Sequence, residues 1–442
     1  MSISHTMRGG ESFTSMVSGI SIIDPSSMPD LKQFIDQSVD NAWLLYAANP
    51  RWALGFALAL IYIIYYLLQV VRKPEFYCQD NKFGRFLLAN CSVLTEKYWP
   101  TLWCFDTHAQ TAIANAIRGT LPDLKYKREI IKLPDGGEVS LDWYEGPPHK
   151  DGSNENHRPI ALFLPGLTGD SQTEYIKSLV PNAHALGYRA VAFNNRGRGG
   201  MKLLTARLYC AANCEDLECM LRHIKRKYPK AKIVATGVSL GGIVLCRYLV
   251  QSRANSLVDA AMLISVCYDL NAGCDSMSRP GLNMALNQHL ARSLSRVVQQ
   301  HAEVLEPLEQ INYKEVLKSR TLRDFDERFT IKMWGFRTSA QYYQEASSKE
   351  KIGLIRVPTL CVNAADDMFA PIHSLPIEEV KKSTNVALVV TQRGGHIGFM
   401  EGLFPMLPFY SERLSKQYLE ALLDVFREKD CKSFFETDHL ID

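Results

Sequence analysis

The sequence predicts an α/β domain built on a mostly parallel central sheet, with one apolar helix ahead of it. Three observations predict this. Strand-length apolar runs at 160–164, 190–193, 233–236, 260–266, 359–362 and 386–390 alternate with helical stretches, the pattern of a parallel sheet covered on both faces. Residues 268–350 interrupt that alternation with helical, more polar sequence between two strands, where a lid would be inserted. Residues 52–71 read WALGFALALIYIIYYLLQVV without a single charge.

Length and composition agree. The chain has 442 residues, more than an average domain, but α/β folds with insertions often use this much as one domain. Lys plus Arg number 50 against 47 Asp plus Glu, which lacks the concentrated basic excess of a nucleic-acid-binding surface. The run Arg222-His223-Ile224-Lys225-Arg226-Lys227 reads as the solvated end of a helix. Eleven cysteines show no C-x-x-C spacing. Cys210, Cys214 and Cys219 cluster without a second ligand pair, so no metal site is expected. Such a set reads as reduced, buried thiols of a cytosolic domain rather than a disulfide framework.

Taken in order, residues 1–51 show no period and are expected to form a mobile tail. The apolar stretch 52–71, at about 1.5 Å per residue, matches a hydrocarbon core of about 30 Å, so a single-pass transmembrane helix is expected. It follows too much polar-to-mixed sequence to be a signal peptide. Arg51 flanks it on one side and Arg72, Lys73, Lys82 and Arg85 on the other, so the positive-inside rule puts the following domain in the cytosol. The sequon Asn90-Cys91-Ser92 would be usable only in the lumen. Residues 74–125 carry Phe76, Tyr77, Phe86, Leu87, Tyr98, Trp99, Leu102 and Trp103; they suit either packing on the domain or lying on the membrane surface. The domain proper is expected at 126–430, opening with a hairpin whose turn is Pro134-Asp135-Gly136-Gly137. Residues 431–442 read as a C-terminal tail.

The chemistry gathers at four loops. Gly237-Val238-Ser239-Leu240-Gly241 follows one strand run and precedes an apolar helix at 242–250. A serine hydroxyl is a weak nucleophile unless it is exposed and paired with a base. A strand–turn–helix elbow supplies the exposure, and its glycines permit the tight turn. His396, after Gly394-Gly395 and the last strand run, is the candidate base, with His184 and His373 as fallbacks. Asp367 is the candidate orienting acid, chosen over Asp366 because it stands four residues before Pro371, and the order Ser, Asp, His is kept. The loop Pro165-Gly166-Leu167-Thr168-Gly169 follows the first parallel strand run, which makes the amides of Leu167 and Leu240 the candidate oxyanion donors.

Together these strings resemble the α/β-hydrolase superfamily, and within it the AB hydrolase 4 family of membrane-anchored phospholipases and of monoacylglycerol or acetyl-ester lipases. The resemblance spans about 125–425. It rests on Pro165 to Gly169, Phe193-Asn194-Asn195-Arg196-Gly197, Gly237 to Gly242, Asn363-Ala364-Ala365-Asp366-Asp367, Gly394-Gly395-His396-Ile397-Gly398-Phe399, and in the insertion Arg323-Asp324-Phe325-Asp326 and Tyr342-Tyr343. It implies an α/β-hydrolase fold, a Ser239–Asp367–His396 triad, no cofactor, and a phospholipid or acylglycerol substrate at a membrane. Among members the chain looks most like phospholipases that cleave phosphatidylcholine. The family is described as type II with a lumenal domain, opposite to the side the flanking charges favour. Glu401 stands fifth after His396, where the H-x-x-x-x-D motif linked to acyl transfer has Asp, so acyl transfer is not expected. The rival expectations are a monoacylglycerol or acetyl-ester lipase with the same triad, and a non-catalytic membrane scaffold. No protein partner is implied.

Overall fold

The computed structural model describes residues 50–147, 157–428 and 434–435, with positions 37, 40 and 41 in isolation. The expected N-terminal tail therefore lies almost wholly outside the described residues, as does most of the C-terminal one. The chain divides into two units, Met1–Leu67 and Leu68–Asp442.

In the first unit, helix α1 (Pro50–Tyr65) opens on a proline, which suits the first helical turn because its missing N–H would have had no acceptor there. A π-turn, Tyr66–Val70, continues it into the second unit. Together Arg51–Val70 make a helix of 20 residues, long and apolar enough to cross a membrane.

The second unit holds one sheet of nine strands: β1 (Glu75–Tyr77), β2 (Tyr126–Lys132), β3 (Glu138–Tyr144), β4 (Ile160–Leu164), β5 (Arg189–Asn194), β6 (Ile233–Val238), β7 (Ala260–Ile264), β8 (Thr359–Ala364) and β9 (Val386–Thr391). Their spatial order is β1-β9-β8-β7-β6-β4-β5-β3-β2. From β5 to β9 the pairings are parallel. The β2–β3 hairpin joins β5 antiparallel at one edge, and β1 joins β9 antiparallel at the other. All six predicted runs are strands, with ends shifted by at most two residues.

Alternation along each strand builds two cores. Ile160, Leu162 and Leu164 of β4 face one hydrophobic cluster, and Ala161 and Phe163 face the other. In β9 the same split sends Val386, Leu388 and Val390 to the first and Ala387 and Val389 to the second. Strands buried on both faces have no polar side, which explains why these runs are continuously apolar rather than alternating. The helices that cover them are α4 (Glu174–Ala185), α5 (Glu215–Lys227), α6 (Leu240–Ser252) and α10 (Tyr410–Glu428). The basic run closes α5 in its last turn, where cations offset the helix dipole.

The segment 74–125, for which the sequence allowed two placements, packs on the domain. Its β1 completes the sheet, and Phe83 and Leu87 of α2 (Lys82–Asn90) are buried in the second cluster. Phe434 and Phe435, within the expected C-terminal tail, lie against Phe83 and Phe86. Helix α3 (Thr107–Gly119) sends Arg118 to a buried ion pair with Glu412 of α10, 2.7 Å apart. The insertion between β7 and β8 is helical throughout its regular parts, including α7 (Leu270–Met277), α8 (Leu282–Gln300) and α9 (Ser339–Ala346).

Candidate active site

Strand order fixes where a site can form. The chain leaves β4 to one side for β5, then crosses to β6 on the other side, so the carboxyl ends of β4 and β6 flank a topological switch point. The β4–β6 register pairs Leu164 with Gly237, which brings the loops after both strands together.

Ser239 occupies that turn, between β6 and α6, with φ 53° and ψ −119°. For a residue with a Cβ this conformation costs about 1–3 kcal/mol, a cost the surrounding packing must offset. The flanking glycines are a steric requirement. A Cβ on Gly237 would come within 2.6 Å of the Gly242 Cα, and one on Gly241 would collide with the carbonyls of Leu164 and Pro165. A Cβ on Gly166 would sit 3.1 Å from the Ser239 Cβ, so the β4 loop passes directly beside the serine.

His396 reaches Ser239 from the loop after β9. Its Nε2 lies 2.9 Å from the Ser239 Oγ, and its Nδ1 lies 2.9 Å and 3.2 Å from the two carboxylate oxygens of Asp367. Asp367 is 2% exposed, and its Oδ1 also accepts the Phe369 amide at 2.8 Å. The Phe369 ring covers the imidazole with centroids 4.2 Å apart. The fallback histidines lie elsewhere: His184 meets the Pro147 carbonyl, and His373 sits in the short helix Ile372–Ser374.

Asp366 takes a different part. Its Oδ1 accepts the Gly395 amide at 3.0 Å, just before the histidine, and its Oδ2, 3.9 Å from Arg393 Nη1, is buried with no hydrogen bond among the described residues. Burial pushes its carboxyl up to about 7, with the charge of Asp367 adding to the effect against the opposing Gly395 amide and Arg393. The folded chain therefore holds a proton, over about pH 4 to 7, that the unfolded chain releases, so stability is lost as pH rises through that window. Asp366→Asn keeps the acceptor and removes the titration. Thermal melts should show the variant gaining on wild type between pH 4 and pH 8, and a constant gap would contradict this account.

The amides of Gly166 and Thr168 are held by Tyr175 and Tyr209 hydroxyls, at 2.7 Å and 3.1 Å. Between them the Leu167 amide has no hydrogen-bonding partner among the described residues, nor does the Leu240 amide at the start of α6. Leu167 and Leu240 both line a cavity of about 260 Å³ that also contains Ser239 and His396. Its walls are mostly apolar, with Met277, Leu290, Leu294 and Leu322 supplied by the insertion. Asp326 also faces this cavity. It accepts from the Tyr343 hydroxyl at 3.0 Å, and burial pushes it up to about 6.

Sequence reasoning missed the support supplied by α3. Thr111 Oγ1 accepts the His396 amide at 2.9 Å, Thr107 Oγ1 donates to the Asp366 carbonyl at 2.7 Å, and Arg118 Nη1 donates to the Ile397 carbonyl at 2.8 Å. One helix thus braces both the acid loop and the histidine loop. The only sequence signal was Thr107 and Thr111 one helical turn apart, which is common on any helix.

Among the described residues no group of three or more His, Cys, Asp or Glu is arranged to hold a metal ion. Cys210 and Cys214 are buried in the first core cluster, and the Cys214 thiol donates to Gln251. Arg196 of the Phe193–Gly197 string is buried between Asp135 and Asp216.

A family model described as alpha/beta hydrolase fold matches residues 159–403. The chain belongs to the alpha/beta hydrolase fold family. Phospholipase ABHD3 of Mus musculus is 41% identical over 371 residues, covering 84% of this chain and 89% of that protein. Monoacylglycerol lipase ABHD2 of Mus musculus is 29% identical over 393 residues, covering 84% and 91%. The solved structure of the Pyrococcus furiosus esterase Pf2001 is 17% identical, with a TM-score of 0.43, over 68% of this chain and 93% of that one. In this α/β-hydrolase the loop that carries His396 and the insertion that walls the cavity both fall within or next to the matched region.

Proposed function

We propose that this α/β-hydrolase is a membrane-anchored serine hydrolase that cleaves acyl esters of lipids, with phosphatidylcholine as its main substrate class. The observation that carries the reading is the hydrogen-bonded chain from Ser239 Oγ through His396 to buried Asp367, at the edge of an apolar cavity. A phospholipid rather than a monoacylglycerol is supported by the stronger similarity to a phospholipase than to a monoacylglycerol lipase, and the choice of phosphatidylcholine among phospholipids rests on the sequence resemblance alone.

The geometry supports the following course of reaction. His396 Nε2 takes the Ser239 proton as Oγ attacks the ester carbonyl carbon. The amides of Leu167 and Leu240 receive the developing oxyanion. Asp367 holds the Nδ1 proton and stabilises the imidazolium, which then protonates the departing lysophospholipid alkoxide. Water, deprotonated by the same histidine, attacks the acyl-enzyme and frees the fatty acid. The apolar cavity takes the acyl chain, and the helix Arg51–Val70 keeps the domain where such substrates partition.

Fatty-acid release by the full-length protein from phosphatidylcholine vesicles and from monoacylglycerol dispersions tests the substrate assignment. Faster release from phosphatidylcholine is expected. The reverse order would favour the monoacylglycerol lipase reading, and no release together with no fluorophosphonate labelling would favour a scaffold.

A further inference from the structure

One apolar surface has no part in the catalytic chain. Trp99 and Trp103 of the segment before α3 stand 47% and 54% exposed, and Leu403, Phe404 and Met406, after the His396 loop, stand 54%, 80% and 76% exposed. The two segments form one structure. The Gly402 amide donates to the Trp99 carbonyl at 3.0 Å, the Trp103 indole donates to the Leu403 carbonyl at 2.8 Å, and Pro100 bridges Glu401. Five large apolar side chains displayed by a single cross-linked loop pair are costly in water and mark an interaction site.

Chain connectivity identifies the occupant. The apolar span ends at Val70, so Arg72 lies within about 8 Å of that end. The Arg72 carbonyl accepts the Tyr98 amide at 2.9 Å, and Trp99 is the next residue. A span that crosses a bilayer holds Arg72 at headgroup depth, and this bond then holds Trp99 beside it. Tryptophan is the side chain that favours that depth, apolar ring in and N–H out. Arg72, Lys73 and Lys97 are exposed around the same strip, where cations meet lipid phosphates.

We propose that Trp99, Trp103, Leu403, Phe404 and Met406 form a lipid-docking surface that seats the catalytic domain on the bilayer. His396 is only eight residues from Phe404 along the chain, so docking would hold the histidine loop near the lipid. The inference rests on reading Arg51–Val70 as a span, and only its activity test rests on the proposed lipid hydrolysis.

Two measurements on the full-length protein decide it. In vesicles of phosphatidylcholine brominated near the ester end of the acyl chains, tryptophan emission is quenched, and Trp99→Phe with Trp103→Phe should remove a strongly quenched component. If the emission those substitutions remove is unquenched, the surface faces water or protein and the proposal fails. Phe404→Asp with Met406→Asp, at exposed positions, should lower release from phosphatidylcholine vesicles by about tenfold while turnover of water-soluble p-nitrophenyl acetate stays as in wild type. Unchanged vesicle hydrolysis, or equal loss on both substrates, would overturn docking. A wild-type protein that turns over the soluble ester but not the vesicles would refute the substrate reading, and quenching alone would then judge the surface.

Discussion

Ser239→Ala is expected to lower fatty-acid release by about 10⁴- to 10⁶-fold and to abolish fluorophosphonate labelling. The substitution isolates the hydroxyl. Alanine keeps the Cβ and with it the strained φ of 53°, so the elbow and the neighbouring amides stay as they are. Among the described residues the Oγ has one partner, His396 Nε2, so its loss leaves only that ring nitrogen unpaired, at the cavity wall, and the melting temperature should move little. The residual rate would come from cavity binding and the Leu167 and Leu240 amides. Release above about a tenth of wild type would mean that another group attacks the ester, because loss of a nucleophile costs far more than that.

Much of this site could be read along the chain because its parts are local. A strand run, a G-x-S-x-G turn and an apolar helix are consecutive, and the close backbone approach at the turn explains the glycines on both sides. The continuous apolar runs gave the strands for the same reason, since a strand buried on both faces tolerates no polar position. The acid was harder. Asp366 and Asp367 are adjacent, and only the D-x-x-x-P spacing separated them. In the fold they diverge because successive side chains leave the turn in different directions, Asp367 towards His396 Nδ1 and Asp366 towards the Gly395 amide.

What could not be read is long-range. Thr111 and His396 are 285 residues apart, and Arg118 and Glu412 are 294 apart. No periodicity couples such positions, so α3 looked like a membrane-proximal segment with two possible placements. It is instead the brace on which the histidine loop rests. The apolar residues in that region divide accordingly, with Tyr98 buried against Tyr410 and its neighbour Trp99 left exposed. Composition alone treats the two alike.

Asp367→Asn should lower kcat by about 10⁴-fold with the fold intact, and the geometry says why so small a change is so costly. Oδ1 of Asp367 accepts the Phe369 amide at 2.8 Å, and that backbone donor fixes the amide oxygen of an asparagine at the same place. The NH₂ group then takes the Oδ2 position, 2.9 Å from His396 Nδ1. Two donors cannot face each other there, so Nδ1 becomes the acceptor and the ring proton moves to Nε2. Nε2–H then points at Ser239 Oγ and cannot take its proton, and the charge that would stabilise the imidazolium is gone as well. Asp366→Asn alters neither nitrogen and should leave kcat within about threefold of wild type, because its bond to Gly395 acts on the loop rather than on the ring. Steady-state release from phosphatidylcholine vesicles, with thermal melts of each variant, separates the two. If Asp366→Asn were the inactive variant and Asp367→Asn the active one, the acid assigned to His396 would be the wrong member of the pair.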